Sequence, residues 1–132
     1  MRLFLKPIQN SRYIRQFTRN FACSQHDLDM PFLIFYVTYP DEAAARRISE
    51  SLVTQRLAAC ANIFPIQSAY WWQGAVQQEG EWVSILKTSL ALESALEKAI
   101  QEIHPYETPC IMRFEARANE AYQRWIEESV KR

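Results

Sequence analysis

Six consecutive apolar residues, Phe32 to Val37, form a run too short for a helix and rich in aromatic and branched side chains, which predicts a buried strand. Thr38-Tyr39-Pro40-Asp41 then breaks the pattern. Acidic Asp41 and Glu42 next to Pro40, followed by Ala44, Ile48, Leu52, Val53 and Leu57 at helical spacing, predict an amphipathic helix over residues 41–57. Ala59 to Ile66, interrupted by Pro65, and Ser68 to Gln73 read as strand separated by a bend, with Pro65 suiting an edge or a bulge. Gly74 and Gly80 bracket a polar hairpin tip, and Glu81 to Thr88 returns as a strand. Leu92, Leu96, Ile100 and Ile103 stripe a second helix that must stop before Pro105. Cys110 to Phe114 is a fourth strand, and a short helix follows near Asn119 to Val130.

The order is β-α-β-β-α-β with an extra C-terminal helix, an α+β chain of the ferredoxin-like arrangement: an antiparallel sheet with two helices on one face. A sheet covered on one face alternates apolar and polar positions, yet Phe32–Val37 is apolar at both parities, and Trp71 and Trp72 must point to opposite faces. Two helices cover one face. The second face is therefore expected to meet another subunit, in a closed homo-oligomer.

At 132 residues and 48% hydrophobic the chain suits one domain with its own core. Fifteen basic and fifteen acidic residues cancel. The cancellation hides two unlike parts. Residues 1–26 hold five basic groups and no acidic one, whereas residues 30–132 hold ten basic and thirteen acidic. Residues 1–29 are read as a basic extension upstream of a domain over 30–132, with an organellar targeting segment as the alternative. The acidic domain disfavours nucleic acid, and no apolar run reaches the length of a membrane helix. With only Gly74 and Gly80, no Gly-rich phosphate cradle exists. Cys23, Cys60 and Cys110 are odd in number and widely spaced, which encodes neither a disulfide framework nor a zinc ribbon and points to a reducing compartment, the cytoplasm.

The densest polar segment is His104-Pro105-Tyr106-Glu107-Thr108-Pro109, where two prolines hold imidazole, phenol and carboxylate in one loop. Those groups suit acid/base chemistry, cation recognition or metal ligation, and equally a helix-capping histidine with a packed tyrosine. Tyr70, Trp71, Trp72 and Trp82 concentrate on the hairpin, where strand packing is the plain alternative to ligand stacking. Lys87 closes an apolar strand; Glu81 pairs with it or with a ligand, and spacing leaves this open. The same topology serves RNA-binding modules, but Glu81-Trp82-Val83-Ser84-Ile85-Leu86-Lys87 lacks the pattern of their RNA-binding strand.

Thr38-Tyr39-Pro40-Asp41, Arg56 to Pro65, Ser68 to Gly74, Glu81 with Lys87-Thr88, His104 to Pro109 and Tyr122-Gln123-Arg124-Trp125-Ile126 occur in the order and spacing of one family. From about residue 32 to 130 the chain resembles the CutA divalent-cation-tolerance proteins. The resemblance implies a ferredoxin-like homotrimer similar in build to the PII signalling proteins, non-enzymatic, tolerant of divalent cations and notably copper, with clefts between subunits. It implies that Tyr70, Trp72, Glu81, Lys87, Tyr106 and Glu107 gather near such a cleft to bind a small ligand, and that His104 is a metal ligand. The chain departs from the copper-binding pattern of a first-strand cysteine and paired histidines, because Val37 and Ile103 stand at two of those positions. Ala118 replaces the usual glycine before Asn119. An acid/base enzyme using His104 with Tyr106 and Glu107, and a structural trimer anchoring a partner, are the competing functions.

Overall fold

The computed structural model describes residues 30–131; the reading of residues 1–29 as a separate extension lies outside them. Four strands form one sheet in the order β2-β3-β1-β4, every neighbouring pair antiparallel. The elements are β1 (Phe32–Tyr39), α1 (Glu42–Thr54), β2 (Cys60–Trp72), β3 (Ala75–Thr88), a single 3-10 turn (Leu90–Leu92), α2 (Glu93–Ile103), β4 (Ile111–Ala116) and α3 (Glu120–Ser129). This is the expected ferredoxin-like α+β architecture with its additional helix.

Alternation along β1 decides where the core lies. Leu33, Phe35, Val37 and Tyr39 are buried and, with Leu86 of β3, pack beneath Ala45, Ile48 and Leu52 of α1 and Leu96 and Ile100 of α2. Each such large side chain contributes about 1.5–3 kcal/mol by leaving water. The opposite parity places Ile34 across from Phe114, and Tyr36 between Met112 and Ile85, on the second face. Among the described residues the middle of that face toward β4 is left open, while its end nearest Phe32 is covered. There α3 lies over it, because Tyr122 meets Phe32 edge-on with ring centroids 6.4 Å apart and stands 3.6 Å from Cys60 Sγ. Farther along, Met112 and Phe114 are 45% and 51% exposed in the single chain.

Several boundaries differ from the sequence reading. β1 runs two residues beyond Val37, to Tyr39. Asp41 is the N-cap of α1 rather than part of it, its carboxylate accepting the Ala44 N–H at 2.8 Å. The helix ends at Thr54, because Arg56 takes a positive φ of 58° and turns the chain so that Ala59 N–H can donate to Lys87 O at 2.8 Å. β2 is one continuous strand through Pro65; it lies at the sheet edge, where the missing N–H costs no ladder bond. Gly80 lies within β3, paired with Gln67, so the two glycines do not bracket the tip. The turn is the two-residue Gln73–Gly74, both at positive φ (49° and 79°), the backbone that matches strand twist in a tight hairpin. β4 begins at Ile111 and continues to Ala116.

The register between β1 and β3 stops at Tyr39 and Trp82. Beyond it, residues 66–72 and 75–81 pair only with each other and project as a two-stranded ribbon.

Candidate ligand-binding site

The ribbon and the loop after α2 together build a cluster of carboxylates and hydroxyls. On the ribbon the register sets Ser68 opposite Glu79 and Ile66 opposite Glu81. Strand twist brings the diagonal neighbours into reach. Ser68 Oγ donates to Glu81 Oε2 at 2.6 Å, and Tyr70 OH donates to Glu79 Oε1 at 2.5 Å. From the loop, Tyr106 OH donates to Glu81 Oε1 at 3.3 Å. Both oxygens of Glu81 are thus engaged from two sides, each with acceptor capacity to spare.

His104 holds the loop in place. It follows α2 directly, its N–H donating to Ile100 O at 2.9 Å, and its side chain is 9% exposed. Nε2 lies 2.8 Å from Thr38 O, Nδ1 accepts the Tyr106 N–H at 3.0 Å, and the ring stacks on Tyr39 with centroids 5.1 Å apart. The imidazole therefore binds the end of β1 rather than capping helix carbonyls. Behind it Tyr39 OH and Ser84 Oγ share a buried hydrogen bond of 2.8 Å.

The electrostatics follow from burial beside carboxylates. Burial first, and then the Glu81 charge, push the Tyr106 phenol up to about 12. The Tyr70 phenol is raised chiefly by its hydrogen bond to Glu79. Burial and then Glu81 raise the Cys110 thiol, which keeps it protonated and a poor soft ligand. Burial lowers the His104 pKa, keeping the ring neutral. The cluster is set to present carboxylates and phenolic O–H groups, suited to a cation or a polar ligand.

Of the residues expected at a cleft, Tyr70, Glu81, Tyr106 and His104 come together. The others do not join them within one chain. Trp72 is 61% exposed near the ribbon tip, and Trp71 points to the other face, 75% exposed. Glu107 lines a separate cavity of about 410 Å³ with Glu97, Gln101, Thr108, Pro109 and Ile111. Lys87 shares the face of Glu81 but lies six residues along β3, about 20 Å away at ~3.3 Å per residue. Its ammonium instead donates to Asn62 Oδ1 and approaches Cys60 Sγ at 3.7 Å. Cys60 is half-buried there, between Lys87 and the Tyr122 hydroxyl. Ser68 and Glu79 were not among the expected site residues. The signal that finds them is the register fixed by a two-residue turn, which lines up Ser68, Tyr70, Glu79 and Glu81 on one ribbon face.

A profile described as CutA1 divalent ion tolerance protein matches residues 33–129. The chain belongs to this family. It is 39% identical over 99 residues to the divalent-cation tolerance protein CutA of Thermotoga maritima, covering 74% of this chain and 98% of that one. Among solved structures, CutA1 from Pyrococcus horikoshii superposes with a TM-score of 0.73 at 37% identity, covering 76% of this chain and 99% of that one. CutA1 from Oryza sativa gives 0.74 at 36% identity, with 77% and 95% covered. A chloroplastic CutA protein of Arabidopsis thaliana is 29% identical over 128 residues, 95% of this chain and 70% of that one. For a CutA1 family member a divalent cation is the first ligand to test against the donors present. Among the described residues no three His, Cys, Asp or Glu side chains converge to hold a metal. Both His104 nitrogens are engaged, and the free donors are carboxylate and phenol oxygens. That set does not fit a resident copper within one chain.

Proposed function

We propose that this protein forms a homotrimer and binds a divalent cation or a small polar ligand at clefts between subunits, as its part in divalent-cation tolerance. The observation that carries this reading is Glu81, gripped by Ser68 from one strand and Tyr106 from the loop, beside the Tyr70–Glu79 pair. Fixing two carboxylates before a ligand arrives removes part of the ordering cost of binding. The part of the second face that the described residues leave open supports assembly. Ile34, Tyr36, Ile85, Met112 and Phe114 share it, an apolar patch of the kind that closes against copies of itself.

Trimer formation would also account for the scattering of the expected residues. Lys87 is too far from Glu81 to serve the same ligand in one chain, and a neighbouring subunit would bring a basic group to the acidic cluster. Copper fits as a cation completed by oxygen donors of two subunits, bound less tightly than by a thiolate and imidazoles. The free thiols of Cys60 and Cys110 support residence in the cytoplasm, with residues 1–29 as an extension outside the binding domain.

Native mass spectrometry of the full chain, with and without copper(II), tests both halves. The expected result is a trimer that takes up copper(II), with uptake reduced in Glu81→Gln and the trimer intact. A monomer, or copper(II) uptake unchanged in Glu81→Gln and Glu79→Gln alike, overturns the reading.

A further inference from the structure

We infer that His104 is a positioning residue, a neutral imidazole locked with its proton on Nε2, whose Nδ1 sets the backbone of Tyr106 and so aims the phenol at Glu81. The inference rests on Glu81 and Tyr106 as the ligand-facing groups. It removes His104 from the set of metal ligands and of acid/base groups, and gives it a different task.

The geometry admits one tautomer. Nδ1 receives the Tyr106 N–H at 3.0 Å, and an amide N–H can only donate, so Nδ1 carries the lone pair. Nε2 faces the Thr38 carbonyl at 2.8 Å, and a carbonyl oxygen can only accept, so Nε2 carries the proton. With both assigned, neither nitrogen has a lone pair left for a metal or a substrate proton. Stacking on Tyr39 fixes the ring plane, and the Tyr39–Ser84 hydrogen bond fixes Tyr39 in turn. The lock is therefore anchored in the core.

The bond from Tyr106 N–H to the side chain two residues before it is the contact of an Asx turn, with an imidazole nitrogen in place of the Asn or Asp oxygen. Asparagine, whose Oδ1 stands near the position of Nδ1, should preserve the turn although it cannot reproduce the ring. A residue of similar bulk without an acceptor, such as leucine, should not. A direct metal ligand would behave differently, since a bound imidazole is replaced by neither.

The test uses the full chain uniformly labelled with 15N, and the His104→Asn, His104→Leu and Tyr106→Phe variants, each titrated with copper(II) or, for NMR, zinc(II). In the wild type, imidazole 15N resonances of a protonated Nε2 and an unprotonated Nδ1 are expected, with a scalar coupling from Nδ1 to the Tyr106 amide nitrogen across the hydrogen bond. Zinc(II) should shift Tyr106 and Glu81 signals and leave the His104 ring nitrogens in place. Copper(II) affinity should fall about tenfold or more in His104→Leu, the loss seen when a group supporting a ligand is removed, and be largely restored in His104→Asn. A protonated Nδ1, a His104 ring that shifts directly with zinc(II), or an equal loss in the Asn and Leu variants overturns the inference. If the wild type binds neither metal, the proposed function fails by itself. The tautomer, the coupling and the retention of the Tyr106 amide shift in His104→Asn but not in His104→Leu then still decide the role of His104.

Discussion

At the scale of single residues, His104 shows how far composition alone can mislead. An imidazole, a phenol and a carboxylate within four positions suggest chemistry, and the sequence does bring Tyr106 to Glu81. It does not disclose that Thr38 O and Tyr106 N–H take both imidazole nitrogens, because those partners are backbone atoms with no signature in the side-chain pattern. The same burial makes His104 a stability determinant with a definite sign. Its folded-state pKa is lowered by burial from the ordinary value near 6.5, so the unfolded chain accepts the proton first. The stabilisation is complete above about pH 6.5 and is lost as pH falls through the folded value. Urea midpoints measured from about pH 7 down to about pH 5 are expected to decrease, with a shallower decrease in His104→Asn. Equal slopes in the two proteins would contradict this assignment.

At the scale of elements, the strands and helices were legible because their apolar periods are clear, while their ends were not. Pro65 and Gly80 are the instructive cases. Each is a residue that breaks a central strand; Pro65 is tolerated because β2 is the sheet edge, and Gly80 because it lies beyond Trp82 where the ribbon has no third strand. The true turn, Gln73–Gly74, lacks the Asn-Gly signature that announces such hairpins. Gly74 sits at φ 79° with no atom within 4 Å of where a Cβ would stand. Gly74→Ala is therefore expected to cost about 1–2 kcal/mol through backbone strain alone. Gln73→Asn, which accepts positive φ more readily, should move the thermal midpoint in the opposite direction. Calorimetry on the two variants checks both signs. Because the turn sets the register, Gly74→Ala should also weaken the Tyr70–Glu79 and Ser68–Glu81 contacts.

At the scale of the whole molecule, the doubly apolar β1 was the most informative stretch of sequence, since it demanded cover for a face that the chain's own helices reach only in part. Phe114→Glu places a charge on the open part of that face, on edge strand β4, where Phe114 lies across from Ile34. Light scattering should report a shift toward monomer, while far-UV circular dichroism remains that of the wild type, because the core beneath α1 and α2 is untouched. An unchanged mass would assign the face to solvent. The C-terminal helix has a different whole-molecule effect. Gln123 of α3 donates to Met30 O at 2.8 Å, Met30 and Pro31 share a cavity with Glu127, and just past the helix Lys131 N–H donates to Arg56 O at 3.0 Å. The first described residues are thus moored to α3, and the last to the turn after α1. Whatever is joined to either end of the described residues therefore leaves beside α3, at the end of the sheet that the strand register sets farthest from the acidic ribbon.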